Sequence, residues 1–167
     1  MLRILPVRTA VGSGEDYFAH EQRDVWNFDQ DPSQDPGTPY YRVEGRCGIP
    51  APEKDDLVYE FIAPLQVLDD LNPERVGSFE QLLAEGEEPT AVAVGVLDIK
   101  CYYDSPSAHW ALTHYLLDGH HKVEAAARTG RPLTLLTFIT SEHGISSPES
   151  IDRLLEAYGS APIFARA

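Results

Sequence analysis

Between Asp56 and Thr140 the apolar positions recur in two rhythms, a period of two or an unbroken run where a strand is expected and a period of three to four where a helix is expected. The segment LVYEFIAPLQVL (57–68) opens with alternation and reads as a strand that runs into an edge at Pro64, because proline cannot donate to a ladder. In NPERVGSFEQLLAEGEEP (72–89), Phe79, Leu82 and Leu83 make an apolar stripe. Ser78 stands three residues before Gln81, which is a capping box, so a short helix is expected from there to a stop at Gly86. TAVAVGVLDIKCYY (90–103) is rich in β-branched residues and reads as a largely buried strand. After the turn-rich DSPSAH, WALTHYLLDG (110–119) returns as a strand, and a helix is expected from about His120 to Thr129, closed by Gly130 and Pro132. LTLLTFIT (133–140) is a further buried strand, and a last helix starts at Ser147, with Pro148 in its first turn and Gly159 after its end.

Upstream the pattern changes. Residues 1–56 are punctuated by Gly and Pro but carry Tyr17, Phe18, Trp26, Phe28, Tyr40 and Tyr41, too many rings for a disordered segment. They read as a loop-rich N-terminal extension with strands near 2–7 and 40–46, packed on the core of 57–167 through Trp26 and the Tyr40/Tyr41 pair. Alternating strands and helices give an α+β class, α/β-like, as a single domain with a small mixed β-sheet. At 167 residues one such core buries roughly two-thirds of the unfolded surface without a disulfide or metal.

Charge then narrows the partners. Thirteen Lys and Arg against 27 Asp and Glu leave a net charge of -14, which repels a phosphate backbone, so no nucleic acid is expected. Pro6 and Arg8 interrupt the start too early for a signal peptide, and no run approaches a membrane span. The expectation is a cytoplasmic protein with no membrane contact. Cys47 and Cys101, 54 positions apart, form neither a disulfide framework nor a zinc knuckle. His20, His109 and His143 sit in no motif.

One junction carries candidate chemistry, DGHHKVEAAARTG (118–130). A glycine between strand and helix allows a sharp turn, and the first helical N–H groups beyond it have no partner inside the helix and add roughly half a positive charge. His121 and Lys122 in that first turn run against the usual preference for acids there, and a bound phosphate would explain them. Asp118 has two readings, a cap or a metal-binding or catalytic carboxylate. His120 and His121 diverge by about 100° on a helix and do not readily share a metal ion. His114, on the preceding strand, is either a contributor or a packed or surface residue. The run Ala125–Ala127 lets the helix approach the sheet closely.

In these residues the chain resembles the ParB N-terminal/sulfiredoxin superfamily. There the corresponding motif reads G-E-R-R-x-R-A-A in ParB, G-C-H-R in sulfiredoxin and D-G-H-[HT]-R in free serine kinases, and DGHHK is similar to the last form. The resemblance spans about 57–140. It implies a ParB/sulfiredoxin-like domain in which Gly119, His120, His121 and Lys122 form a nucleotide-phosphate loop, Asp118 serves as metal-binding and catalytic acid, and Glu74, beside Arg75, is the second catalytic carboxylate. His120 replaces the sulfiredoxin cysteine, so sulfinic acid reduction is not expected, and Lys122 offers a point charge where the ParB motif has a planar guanidinium. The implied function is a nucleotide-binding protein acting as a small-molecule phosphotransferase, with ATP, ADP or CTP and magnesium as cofactor and a small-molecule substrate as acceptor. The alternative is a non-catalytic ParB-like binding or interaction module, with a homodimer or protein partner.

Overall fold

A computed structural model describes residues 2–13, 41–43, 49–50, 57–101, 108–140 and 144–160. Its strands are β1 (Leu2–Thr9), β2 (Val11–Ser13), β3 (Tyr41–Val43), β4 (Ile49–Pro50), β5 (Leu57–Pro64), β6 (Thr90–Cys101), β7 (Ala108–Asp118) and β8 (Leu133–Thr140). Its helices are α1 (Pro73–Ala84), α2 (His120–Thr129) and α3 (Pro148–Ser160), with a 3-10 turn at Leu68–Asp70 before α1. The strands form one mixed sheet in the order β1-β8-β6-β7-β5-β3-β2, with β4 on β5. The β5–β7 and β6–β8 pairs are parallel, and the remaining pairs are antiparallel. The class is α+β. No helix among the described residues is long and apolar enough to cross a membrane.

β1 and β2 stand at opposite ends of that order, yet only Ala10 separates them. Thr9 pairs with Leu133 of β8 and Val11 with Val43 of β3, so one bent strand joins both ends and the sheet must curl. Strand alternation then divides residues between an inside and an outside. Leu5, Val7, Val11, Val43, Ile62, Ala93, Leu112, Leu116, Leu135 and Ile139 are buried inside with Val123 and Ala126 of α2 and Ile151 and Leu154 of α3. Residues 2–13 and 41–43 are thus strands of the same sheet as 57–140. Trp26 and Tyr40 lie outside the described residues. Tyr41 is buried and donates its hydroxyl to Glu124 of α2 at 2.6 Å.

Three local expectations need correction. α1 starts at Pro73 and not after Ser78, because the Asn72 side chain accepts from the N–H groups of Glu74 and Arg75 and Pro73 fills the first helical position. Ser78 lies inside the helix and bonds the Glu74 carbonyl. β5 is an interior strand, paired with β7 over its whole length, and Pro64 is only its last residue. α3 runs past Gly159 to Ser160, while Ser147 caps its start as expected.

The inside also holds a polar group that the alternation placed there without explanation. Glu60 and His114, on the neighbouring strands β5 and β7, are fully buried. Thr137 Oγ1 lies 2.7 Å from His114 Nδ1, His114 Nε2 lies 2.7 Å from Glu60 Oε1, and the Tyr158 hydroxyl donates to Glu60 Oε2 at 2.5 Å. A neutral imidazole with its proton on Nε2 satisfies both neighbours, donating to Glu60 and accepting from Thr137. His114 is therefore a packed residue. The network needs space beside Thr137, and Gly95 supplies it: a Cβ there would lie 2.7 Å from Thr137 Cγ2 and 2.8 Å from Ile139 Cγ1.

Tyr158→Phe removes the donor that reaches Glu60 Oε2 from α3, and leaving a buried polar atom without its partner costs about 1–3 kcal/mol. The urea midpoint should fall accordingly with the slope unchanged. A shift equivalent to less than about 0.5 kcal/mol would show that the tether contributes little.

Candidate functional site

The chain turns from β7 into α2 at Gly119, whose φ of +99° is a left-handed conformation that side chains rarely adopt. A Cβ at this position would also sit 2.7 Å from Ala91 Cβ and 2.9 Å from Ala91 Cα. Glycine is required twice over, by conformation and by space. The first helical bond runs from Val123 N to Gly119 O at 2.9 Å, and among the described residues no side chain caps the helix; Asp118, one reading of which was a cap, meets Lys122 instead. The N–H groups of residues 120–122 therefore have no acceptor within the helix.

The side chains of that turn do something the motif did not announce. His120 Nε2 accepts from the backbone N–H groups of Leu65 and Gln66, each at 3.2 Å. His121 Nε2 accepts from the N–H of Asn72 at 3.2 Å. Both imidazoles thus clasp the connection between β5 and α1. Both have pKa values below the usual 6.5, chiefly because burial penalises the cation; at His120 the nearby Asp118 opposes this, while Arg75 adds to it at His121. Lys122 Nζ donates to Thr90 O at 2.7 Å, approaches Asp118 Oδ2 at 3.4 Å and lies 5.9 Å from the centre of the Phe79 ring.

The His121–Asn72 bond sets the N-terminus of α1 beside that of α2. Glu74 and Arg75 occupy the exposed first turn of α1. Asp118, Gly119, His120, His121 and Lys122 are contiguous, and Glu74 joins their neighbourhood without bonding to any of them. Asp118 is well exposed, at 71%, and among the described residues its side chain is held by Lys122 alone. Among the described residues, no three His, Cys, Asp or Glu side chains converge as a metal cage. Asp118 is the carboxylate of the junction that could hold a cation shared with a phosphate.

Arg75, which the family motif marks only as the neighbour of Glu74, takes a distinct place in the structure. Its guanidinium is exposed and pairs with no acid among the described residues, although the chain carries 27 acids. Recognising Asn72-Pro73 as the helix start would have placed Arg75 in the first turn, at the end that repels a cation. An apolar recess of about 190 Å³ lies elsewhere, between Val94–Leu97 and the Gly144, Ile145 and Ile151 side of α3.

No family model, curated protein or solved structure matches this chain.

Two predictions follow from the junction. Protonation of either imidazole removes an acceptor from a backbone N–H; because the folded-state pKa values lie below 6.5, the stabilisation is complete above that pH and is lost as pH falls through the lowered values. The melting temperature should drop between neutral pH and about pH 5. The double variant His120→Gln/His121→Gln should flatten that slope; an unchanged slope would assign it to other groups. Gly119→Ala should cost more than about 2 kcal/mol in chemical denaturation, combining backbone strain and overpacking against Ala91.

Proposed function

We propose that the protein binds a nucleotide through its phosphates at the adjoining N-termini of α1 and α2. One observation carries this reading: the exposed Arg75, paired with no acid among the described residues, stands at the head of α1 where His121 fastens α1 to the head of α2. Two helix dipoles, the N–H groups of residues 120–122, Arg75 and Lys122 supply positive potential there in a chain of net charge -14. A phosphate gives Arg75 a bidentate partner and the N–H groups an acceptor.

The same residues support transfer of the phosphoryl group to a small-molecule hydroxyl. Magnesium keeps most of its water and takes one or two carboxylates together with phosphate oxygens, so Asp118 would hold it. Bound, the ion would neutralise charge on the transferred group. Glu74, at the exposed head of α1, would orient the acceptor hydroxyl, and the barrier would fall chiefly through positioning and charge stabilisation. The second reading, a binding module without turnover, is favoured by a specific fact: His120, His121 and Lys122 all bond backbone groups of neighbouring segments, so the fold itself uses them.

Titration calorimetry with ATP, ADP and CTP plus magnesium tests the site. Arg75→Ala should weaken the binding nucleotide about tenfold or more, the loss of one charge-assisted pair. This variant is sharper than Lys122→Ala, which also releases Thr90. Unchanged affinity in Arg75→Ala, or no binding by the wild type, overturns the phosphate site. Asp118→Asn should keep binding and abolish phosphate transfer in a coupled assay. Wild-type binding with no transfer to any acceptor selects the binding module.

A further inference from the structure

β6 outruns the strand beside it. At its start the Pro89 carbonyl accepts from Thr134 N of β8 at 3.1 Å, whereas the Thr90 carbonyl meets Lys122 on the other side. Backbone groups alternate sides along a strand, so Ala91, Ala93 and Gly95 turn theirs toward β8 and the residues between them turn theirs toward β7. The last β6–β8 pair is Gly95 with Ile139, and β8 ends at Thr140. β6 continues to Cys101, still paired with β7. By the same alternation the Leu97 carbonyl points to the β8 side, where it accepts from Ser146 Oγ at 2.7 Å. Beyond it the N–H and C=O groups of Ile99 and Cys101 face an edge that no strand among the described residues occupies. The apolar recess of about 190 Å³, between Val94–Leu97 and Gly144, Ile145 and Ile151, adjoins the start of that edge.

We propose that this free length of β6 receives an extended segment of another protein, added as a strand, with one large apolar side chain in the recess and basic residues flanking it. Three observations choose that occupant. Ile99 and Cys101 repeat a donor and an acceptor about 6.8 Å apart, the two-residue spacing of a strand, which a helix does not match. The recess exceeds the roughly 150 Å³ that holds a benzene ring, so one Phe or Leu side chain fits it. A net charge of -14, with Glu149 exposed two residues before Ile151, attracts a cationic segment and repels a second copy of the chain. Main-chain hydrogen bonds then supply affinity, and the side chain in the recess sets the register.

Amide hydrogen exchange of the full chain, read residue by residue by NMR, tests this. In the free chain the amides of Ile99 and Cys101 should exchange at least about tenfold faster than those of Asp98 and Lys100, which face β7. The end-blocked peptide Lys-Val-Phe-Val-Lys, at roughly 1 mM, should slow the two edge amides about tenfold. Placing Ala for its Phe, Glu for both Lys, or methyl groups on its backbone nitrogens should each weaken binding at least about tenfold. Ile99→Pro removes an edge N–H that β7 does not use, and should do the same with the circular dichroism spectrum unchanged. Slow exchange at Ile99 and Cys101 in the free chain would mean that the edge is already covered, and it overturns the proposal. A peptide without effect at that concentration, or one that binds equally with its Phe replaced or its backbone methylated, overturns it as well.

Discussion

A strand that belongs to both ends of one sheet cannot lie flat. Residues 2–13 pair with β8 before Ala10 and with β3 after it, and this double membership curls the sheet and gives it an inside. The alternation of every strand then has a consequence: one set of side chains must pack with the helices, and the other is left outside. α2 enters this inside with Val123, Ala125 and Ala126, all fully buried, and small residues let its backbone come close. The head of α2 is thereby fixed at the end of β7, where Gly119 has no room for a side chain against Ala91.

At that fixed head, structure and chemistry draw on the same residues. His120 and His121 accept hydrogen bonds from the connection 65–72, and this is what brings the head of α1 to the head of α2. A protein that gathers two positive helix ends must offset their repulsion, and neutral imidazoles do so without adding charge. Lys122 is neutralised in part by Asp118. Among the described residues no acid pairs with Arg75, which is why the proposed phosphate site is centred on it. The clasp and the anion site are compatible because one uses side-chain nitrogens and the other backbone N–H groups.

Thr137, His114 and Glu60 form a hydroxyl–imidazole–carboxylate line of the kind that activates nucleophiles, but all three are sealed from solvent. Their work is structural. The line crosses from β8 to β7 to β5, and Tyr158 extends it to α3, so one polar chain ties three strands and the last helix together. Burying a carboxylate is costly unless it is hydrogen-bonded, and here the strands are held in the register that provides the bonds.

The local order of this protein is written in its sequence. β5, β6, β7, β8 and the turns at Gly86, Gly119 and Gly130 follow from alternation, β-branched runs and glycine, because each depends on neighbours a few residues away. The helix behind DGHHK was legible for the same reason, but not that Asp118 would turn to Lys122 and leave its head without a side-chain cap. The start of α1 was readable too, in Asn72-Pro73, although Ser78 and Gln81 offered a competing local signal that the longer apolar face of Val76, Phe79 and Leu83 outweighed. What tertiary structure alone decided is everything that joins distant segments: the closure through Ala10, the Glu60–His114 pair 54 positions apart, the histidines turned toward residues 65, 66 and 72, and Arg75 at the junction. Local periodicity says which face of a strand is apolar, but not which strand lies beside it. Partners and pairing come from packing the whole chain, and hydrogen-bond acceptors such as Glu60 and His120 take their roles from whichever donors that packing delivers.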